Sequence, residues 1–252
     1  MTLTVGILGK HPAFGDFLRH GVSEEVAGRI TGWIDPTLHA LRDQQGDGWE
    51  AFWDAARGVR FWIGRAVAGR TLAGILQPSR DRVGRRYPLM LMAEGVDLPA
   101  PVEAPDQAFH AALEAHLDAM RPGEGARSLL AGLDPVMLPA EAEPPEALSL
   151  GPILWAHHPG GDLAALLEAA APVDRARAQT ARSYWWAPGD GGRAAVWLGQ
   201  PGLPAPASLG WLLAGLPAAA PDEDPAADTA AGPTAGLPPE STAAADEAAH
   251  VP

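Results

Sequence analysis

Phe61-Trp-Ile-Gly-Arg-Ala-Val67 and Thr71-Leu-Ala-Gly-Ile-Leu-Gln77 flank Ala68-Gly69-Arg70, and Leu89-Met-Leu-Met-Ala93 follows after eleven intervening residues. Two apolar runs on either side of a glycine-bearing break predict a β-hairpin, and the third run predicts a further strand of the same group. Upstream, Leu3 to Leu8 is a short apolar run ending at Gly9, which suits a buried first strand. Between it and the hairpin, Ser23-Glu-Glu-Val26 caps a helical stripe of Val26, Ile30, Trp33, Ile34, Leu38 and Leu41. Pro36 is expected to kink or split that helix. Gly46-Asp47-Gly48 breaks the chain before a short aromatic helix, Trp49 to Ala56.

Downstream, a helix is expected over Asp106 to Met120, with Phe109, Leu113 and Leu117 at four-residue spacing, and another short one over Pro122 to Leu133. Pro135 to Pro145 is a surface excursion. Ile153 to Ala156, Ser183 to Ala187 and Ala194 to Gly199 are further strands; Asp162 to Ala170 and Ala207 to Leu216 are helices. The fold class is therefore α/β. Residues 1–216 are expected to form one layered domain, with a central mixed, largely antiparallel sheet covered by helices 23–44, 106–120 and 207–216. Pro217 to Pro252 holds 13 Ala, seven Pro, seven Asp+Glu and no Lys or Arg. With no aromatic residue it cannot offset the cost of ordering its backbone, about 1–2 kcal/mol per residue, so it is expected to be a disordered acidic tail.

The chain of 252 residues carries 18 Lys+Arg against 31 Asp+Glu, a formal charge of -13. That balance argues against nucleic acid as partner, which would require a basic footprint. No cysteine is present, so disulfides, thiolate metal sites and cysteine nucleophiles are excluded. No basic n-region opens the chain and no apolar run is long enough to span a bilayer, so a cytosolic protein, not membrane-embedded, is expected.

Three segments hold more special residues than packing requires. Gly9-Lys10-His11-Pro12-Ala-Phe-Gly15-Asp16-Phe17 leaves the first strand through a glycine- and proline-punctuated loop. It falls short of a phosphate loop, because Lys10 lacks a following Ser or Thr and Pro12 prevents a helix from starting there. Pro78-Ser79-Arg80-Asp81-Arg82-Val83-Gly84-Arg85-Arg86-Tyr87-Pro88 packs four arginines into seven residues, which suits an anion or an acidic partner face. Ser79, Asp81 and a histidine could be drawn as a hydrolase triad, but no G-x-S-x-G elbow surrounds the serine. A small hydrolase or phosphate-binding enzyme using Lys10, Ser79, Asp81 and Arg82 is the competing functional reading. Ser183-Tyr-Trp185-Trp186 places adjacent tryptophans on opposite faces of a strand, one for the core and one for a helix or a partner. His157-His158, without a third ligand at helical spacing, suits a surface turn better than a metal site, and no metal or cofactor is expected.

The first of these segments resembles the G-K-x-P-x-x-G-D-F opening of the TagF family, also called ImpM, of bacterial type VI secretion-associated proteins. Pro78-Ser79-x-Asp81-Arg82-Val83-Gly84-Arg85-x-Tyr87-Pro88 is similar to that family's central P-S-x-D-x-V-G-R-x-[FY]-P signature, and Ser183-x-Trp185-Trp186 with Gly202-Leu203-Pro204 to its C-terminal end. The likeness spans roughly residues 3–215; His11, Tyr87 and the tail are its departures, and none breaks a motif. The resemblance implies a cytoplasmic, non-enzymatic regulator that represses type VI secretion assembly after translation by binding the FHA-domain scaffold protein Fha. Some relatives carry a fused PP2C-type phosphatase, whose activity is not expected here. Both signature loops leave strands, so they are expected to meet at one edge of the sheet, with Asp16 accepting from Arg82 or Arg85.

Overall fold

The computed structural model describes residues 5–96, 98–103, 108–133, 172, 179–190 and 192–217. Among the described residues seven strands form one sheet: β1 (Val5–Gly9), β2 (Leu18–His20), β3 (Val59–Ile63), β4 (Leu72–Gln77), β5 (Leu89–Glu94), β6 (Arg182–Ala187) and β7 (Val196–Pro201). Their order is β2-β1-β5-β4-β3-β6-β7, and every neighbouring pair is antiparallel. The expected layered α/β architecture is the one formed.

Alternation along the strands divides the core in two. Leu8, Phe61, Ile63, Leu72, Met90 and Trp185 face one side. There α1 (Glu24–Gln45) buries Val26, Ile30, Ile34, Leu38 and Leu41. The helix at Pro206–Ala214, α6 in chain order, adds Leu209, Leu212 and Leu213. Ile7, Trp62, Ile75, Leu91 and Tyr184 face the other side, with Phe109 and Leu113 of α4 (Ala108–Ala119). Three short helices, α2 (Trp49–Ala55), α3 (Arg65–Ala68) and α5 (Gly125–Ser128), lie among the described residues.

Two local expectations change and one strand is added. The first helix neither stops nor splits at Pro36 but runs as one 22-residue element. Pro36 and Gly32, whose carbonyl loses its partner, are both exposed, so the freed acceptor faces solvent and its loss costs little. The first hairpin strand ends at Ile63 rather than Val67, because Arg65-Ala-Val-Ala68 turns into α3 between two glycines. Gly69, at φ 84°, donates its N–H to the Arg65 carbonyl at 2.7 Å and closes that turn. Leu18–His20, to which the sequence assigns no element, is a strand paired with β1, and three residues are too few to show a pattern in sequence.

The predicted strand Ile153–Ala156, helix Asp162–Ala170, excursion 135–145, the His157-His158 pair and residues 218–252 of the acidic tail lie outside the described residues. Among the described residues no helix is long and apolar enough to cross a membrane.

Candidate functional site

The two signature loops meet. Residues 10–17 join β1 to β2 and residues 78–88 join β4 to β5; Leu89 is paired with Gly9 on one side and Gln77 on the other, so both loops leave the same end of three adjacent strands. Gly9 has φ 125°, and a Cβ built there would lie 2.0 Å from the Pro88 carbonyl oxygen. Only glycine permits that approach. Beyond it the Lys10 N–H donates to the Pro88 carbonyl at 3.2 Å and the Arg82 N–H to the Phe14 carbonyl at 2.8 Å. The Arg85 guanidinium donates to the Gly15 carbonyl at 2.7 Å.

Asp81 holds this junction together. The Gly84 N–H donates to the Asp81 carbonyl and the Asp81 N–H to the Arg85 carbonyl, with Gly84 at φ 89°, so 81–85 is a three-residue hairpin turn with glycine in the left-handed position. The Asp81 side chain is fully buried. Its Oδ1 accepts the Val83 and Arg85 N–H groups at 3.1 and 2.9 Å, and its Oδ2 accepts Lys10 Nζ at 3.1 Å and Arg85 Nε at 2.6 Å. Burial alone would raise the carboxyl's pKa. The backbone and guanidinium donors of Arg85, then Lys10, outweigh it and hold the group well below the usual carboxylate range.

The expected ion pair of Asp16 with Arg82 or Arg85 is not formed. Asp16 is exposed and has no ion pair among the described residues, whereas Asp81 takes Arg85 and also Lys10. Local geometry decides this: an aspartate opening a turn has its oxygens beside N–H groups two and four residues on, while Asp16 has no such neighbours.

A second tier fastens the arginine loop to the helices. Arg86 reaches both Asp54 oxygens, at 3.1 and 2.8 Å, and Glu50 at 2.9 Å, and Trp53 donates its indole N–H to the Ser79 carbonyl at 2.8 Å. The Tyr87 hydroxyl donates to Asp35 Oδ1 at 2.7 Å, and its ring packs edge-on to Phe17 with centroids 5.4 Å apart. Burial, with the Asp35 carboxylate beside it, pushes the phenol above its ordinary value, so it stays a donor. Tyr87→Phe keeps the ring contact and frees an exposed carboxylate to water. The expected loss is about 0.5–1.5 kcal/mol, a drop in melting temperature of roughly 1–6 °C in thermal denaturation.

Of the groups the hydrolase reading would use, Lys10, Asp81 and His11 are engaged elsewhere. Ser79 and His11 line one cavity of about 520 Å³. His11 Nδ1 accepts the Ala13 N–H at 3.1 Å, which places the proton of the neutral ring on Nε2, and burial lowers its pKa. Neither ring nitrogen then offers Ser79 a free lone pair. Both Asp81 oxygens are occupied and Lys10 is bound to one of them. Among the described residues no three His, Asp or Glu side chains converge as a metal would require.

The tryptophan pair serves the layers. Trp185 lies in the core between Phe61 and Trp33, at 5.2 and 5.3 Å. Trp186 packs on His110 of α4 at 4.8 Å, on the opposite face. Pro12 and Phe17 are exposed and Pro78 is half-buried. Sequence reasoning missed the acids that receive the loop. Glu50 and Asp54 are four residues apart on α2, a spacing that puts them on one face and could have marked them. It also missed Arg57, a buried guanidinium donating to the Leu212, Ala194 and Pro188 carbonyls, for which a lone arginine gives no signal.

Residues 6–136 match the TagF N-terminal domain, described as type VI secretion system-associated. The matched segment contains both signature loops and stops short of the tryptophan pair. The fold is similar to that in the crystal structure of PA0076 from Pseudomonas aeruginosa PAO1, with a TM-score of 0.64 and 24% identity over 86% of this chain and 97% of that one. At that identity the likeness is one of fold alone. The sequence has no match among curated proteins.

Proposed function

Because the chain belongs to the TagF family of type VI secretion system-associated proteins, we propose that it is a non-enzymatic, cytoplasmic repressor of secretion-system assembly, acting after translation by binding the FHA-domain scaffold protein Fha. The observation that carries this reading is the use made of the reactive residue types in the signature loops. Asp81 binds both Lys10 and the Arg85 head group, and among the described residues Ser79 has no base. Beside the exposed Asp16, the loops leave arginine and apolar side chains outward, a combination enriched at protein interfaces. The competing hydrolase or phosphate-binding reading requires Lys10 and Asp81 to be free for substrate, which their mutual pairing at 3.1 Å opposes.

A pull-down of the full chain with the cognate Fha, paired with a secretion assay in a strain lacking this protein, tests the proposal. Stable co-purification and raised secretion in the deletion strain are expected. No binding together with unchanged secretion would overturn it.

A further inference from the structure

The signature loops have an inner and an outer part, and only the inner part is needed for the junction. The outer part is the tip of the β4–β5 loop with the end of the β1–β2 loop. Val83 is 70% exposed at the tip and Phe17 is 42% exposed beside Tyr87. Between the loops, Arg82 uses its backbone N–H on Phe14, but its guanidinium makes no ion pair among the described residues. That side chain is nonetheless placed. Its Nη2 lies 3.3 Å from where a Cβ on Gly15 would be, so glycine at 15 lets the guanidinium lie along the neighbouring loop.

Next to this tip a groove of about 510 Å³ runs between α1 and the β4–β5 loop, with Arg42 on one wall, Arg85 on the other and Leu38 and Trp49 among its lining; Asp35 and Glu50 also line it, but Tyr87 and Arg86 engage them. The Arg85 side chain remains 62% exposed despite its pairing with Asp81. Residues 78–88 carry four arginines and one aspartate, net +3 on a chain of net charge -13. Among the described residues Arg82 is an unpaired cation, next in the chain to exposed Val83 and beside the loop that carries exposed Phe17. This tip adjoins a groove with an arginine on each wall, a surface that complements an acidic, partly apolar segment. We infer that Phe17, Arg82 and Val83, together with the adjoining groove, form the docking face for an acidic protein segment that carries an apolar side chain. This rests on the repressor reading above and assigns its contact surface: the segment belongs to Fha.

Binding of full-length protein to the cognate Fha, measured at low and high salt, tests the assignment, with secretion in the complemented deletion strain as a second readout. The double variant Arg82→Glu, Val83→Asp alters only exposed side chains and should melt with the wild type. It is expected to bind at least tenfold more weakly, to lose most of the salt dependence, and to fail to restore secretion to the repressed level. Asp16→Ala, which removes an exposed acid beside the cation, should leave binding unchanged or tighten it. If the wild type binds and represses while the double variant does so equally well, the docking face is wrong and the repressor reading stands. If the wild type neither binds Fha nor alters secretion, the reading fails and the inference falls with it. A double variant that melts well below the wild type would also overturn the inference, because the tip would then be part of the fold.

Discussion

Asp81→Ala lowers the melting temperature by roughly 10 °C or more, because one substitution leaves Lys10, the Arg85 guanidinium and two backbone N–H groups without the acceptor they share. The desolvation cost of a buried charge is met here by four hydrogen bonds, so removing the acceptor leaves that cost on the donors. Asp81→Asn is informative beside it. The amide oxygen can still accept the Val83 and Arg85 N–H groups, but its nitrogen would face two cationic donors. The amide should therefore recover only part of the loss, and a melting temperature for Asp81→Asn equal to that of the wild type would reject the role given to the charge.

The same group sets a pH dependence with a definite sign. Its folded pKa lies below the unfolded value near 3.9, so its contribution is fully present above about pH 4 and is lost as the pH falls toward the folded value. His110 acts in a separate window. Burial first, opposed by its bond to the Phe61 carbonyl, brings the imidazole to about 4. The unfolded chain then binds the extra proton between about pH 6.5 and 4, and stability declines across that range. In urea titrations at a series of pH values the wild type should weaken in both windows. Asp81→Asn should keep the upper one and lose the lower.

What could be read in the sequence followed the range of the interactions involved. The strands around Phe61–Ile63, Leu72–Gln77 and Leu89–Ala93 were legible because alternation and breaks are local, and the meeting of the two signature loops followed from both leaving strand ends. The choice of acid was harder. Asp16 follows a glycine and Asp81 lies among arginines, yet both are acids in signature loops and charge alone does not separate them. The distinguishing sign is Val83-Gly84, which makes Asp81 the first residue of a tight turn and commits its oxygens before any tertiary contact forms. Asp35, Glu50 and Asp54 receive Tyr87 and Arg86 from helices more than 30 residues away, and such partners are fixed only once α1 and α2 have docked.

Gly9→Ala is expected to cost about 2–5 kcal/mol, a drop in melting temperature of roughly 4–20 °C, although it adds a single methyl group. Two costs coincide at this position. The backbone stands at φ 125°, where side chains are strained, and the new Cβ would be placed 2.0 Å from the Pro88 carbonyl oxygen. That oxygen belongs to backbone and cannot swing aside as a side chain would. Relief requires β1 and the β4–β5 loop to separate where Gly9 is paired with Leu89 and where Lys10 donates to Pro88. Separation would also draw Lys10 away from Asp81, so the variant should be less than additive with Asp81→Ala when the two are combined. A double-mutant cycle by chemical denaturation reads that coupling. Simple additivity would mean that Gly9 and Asp81 secure different structures, and that the two signature loops are not one unit.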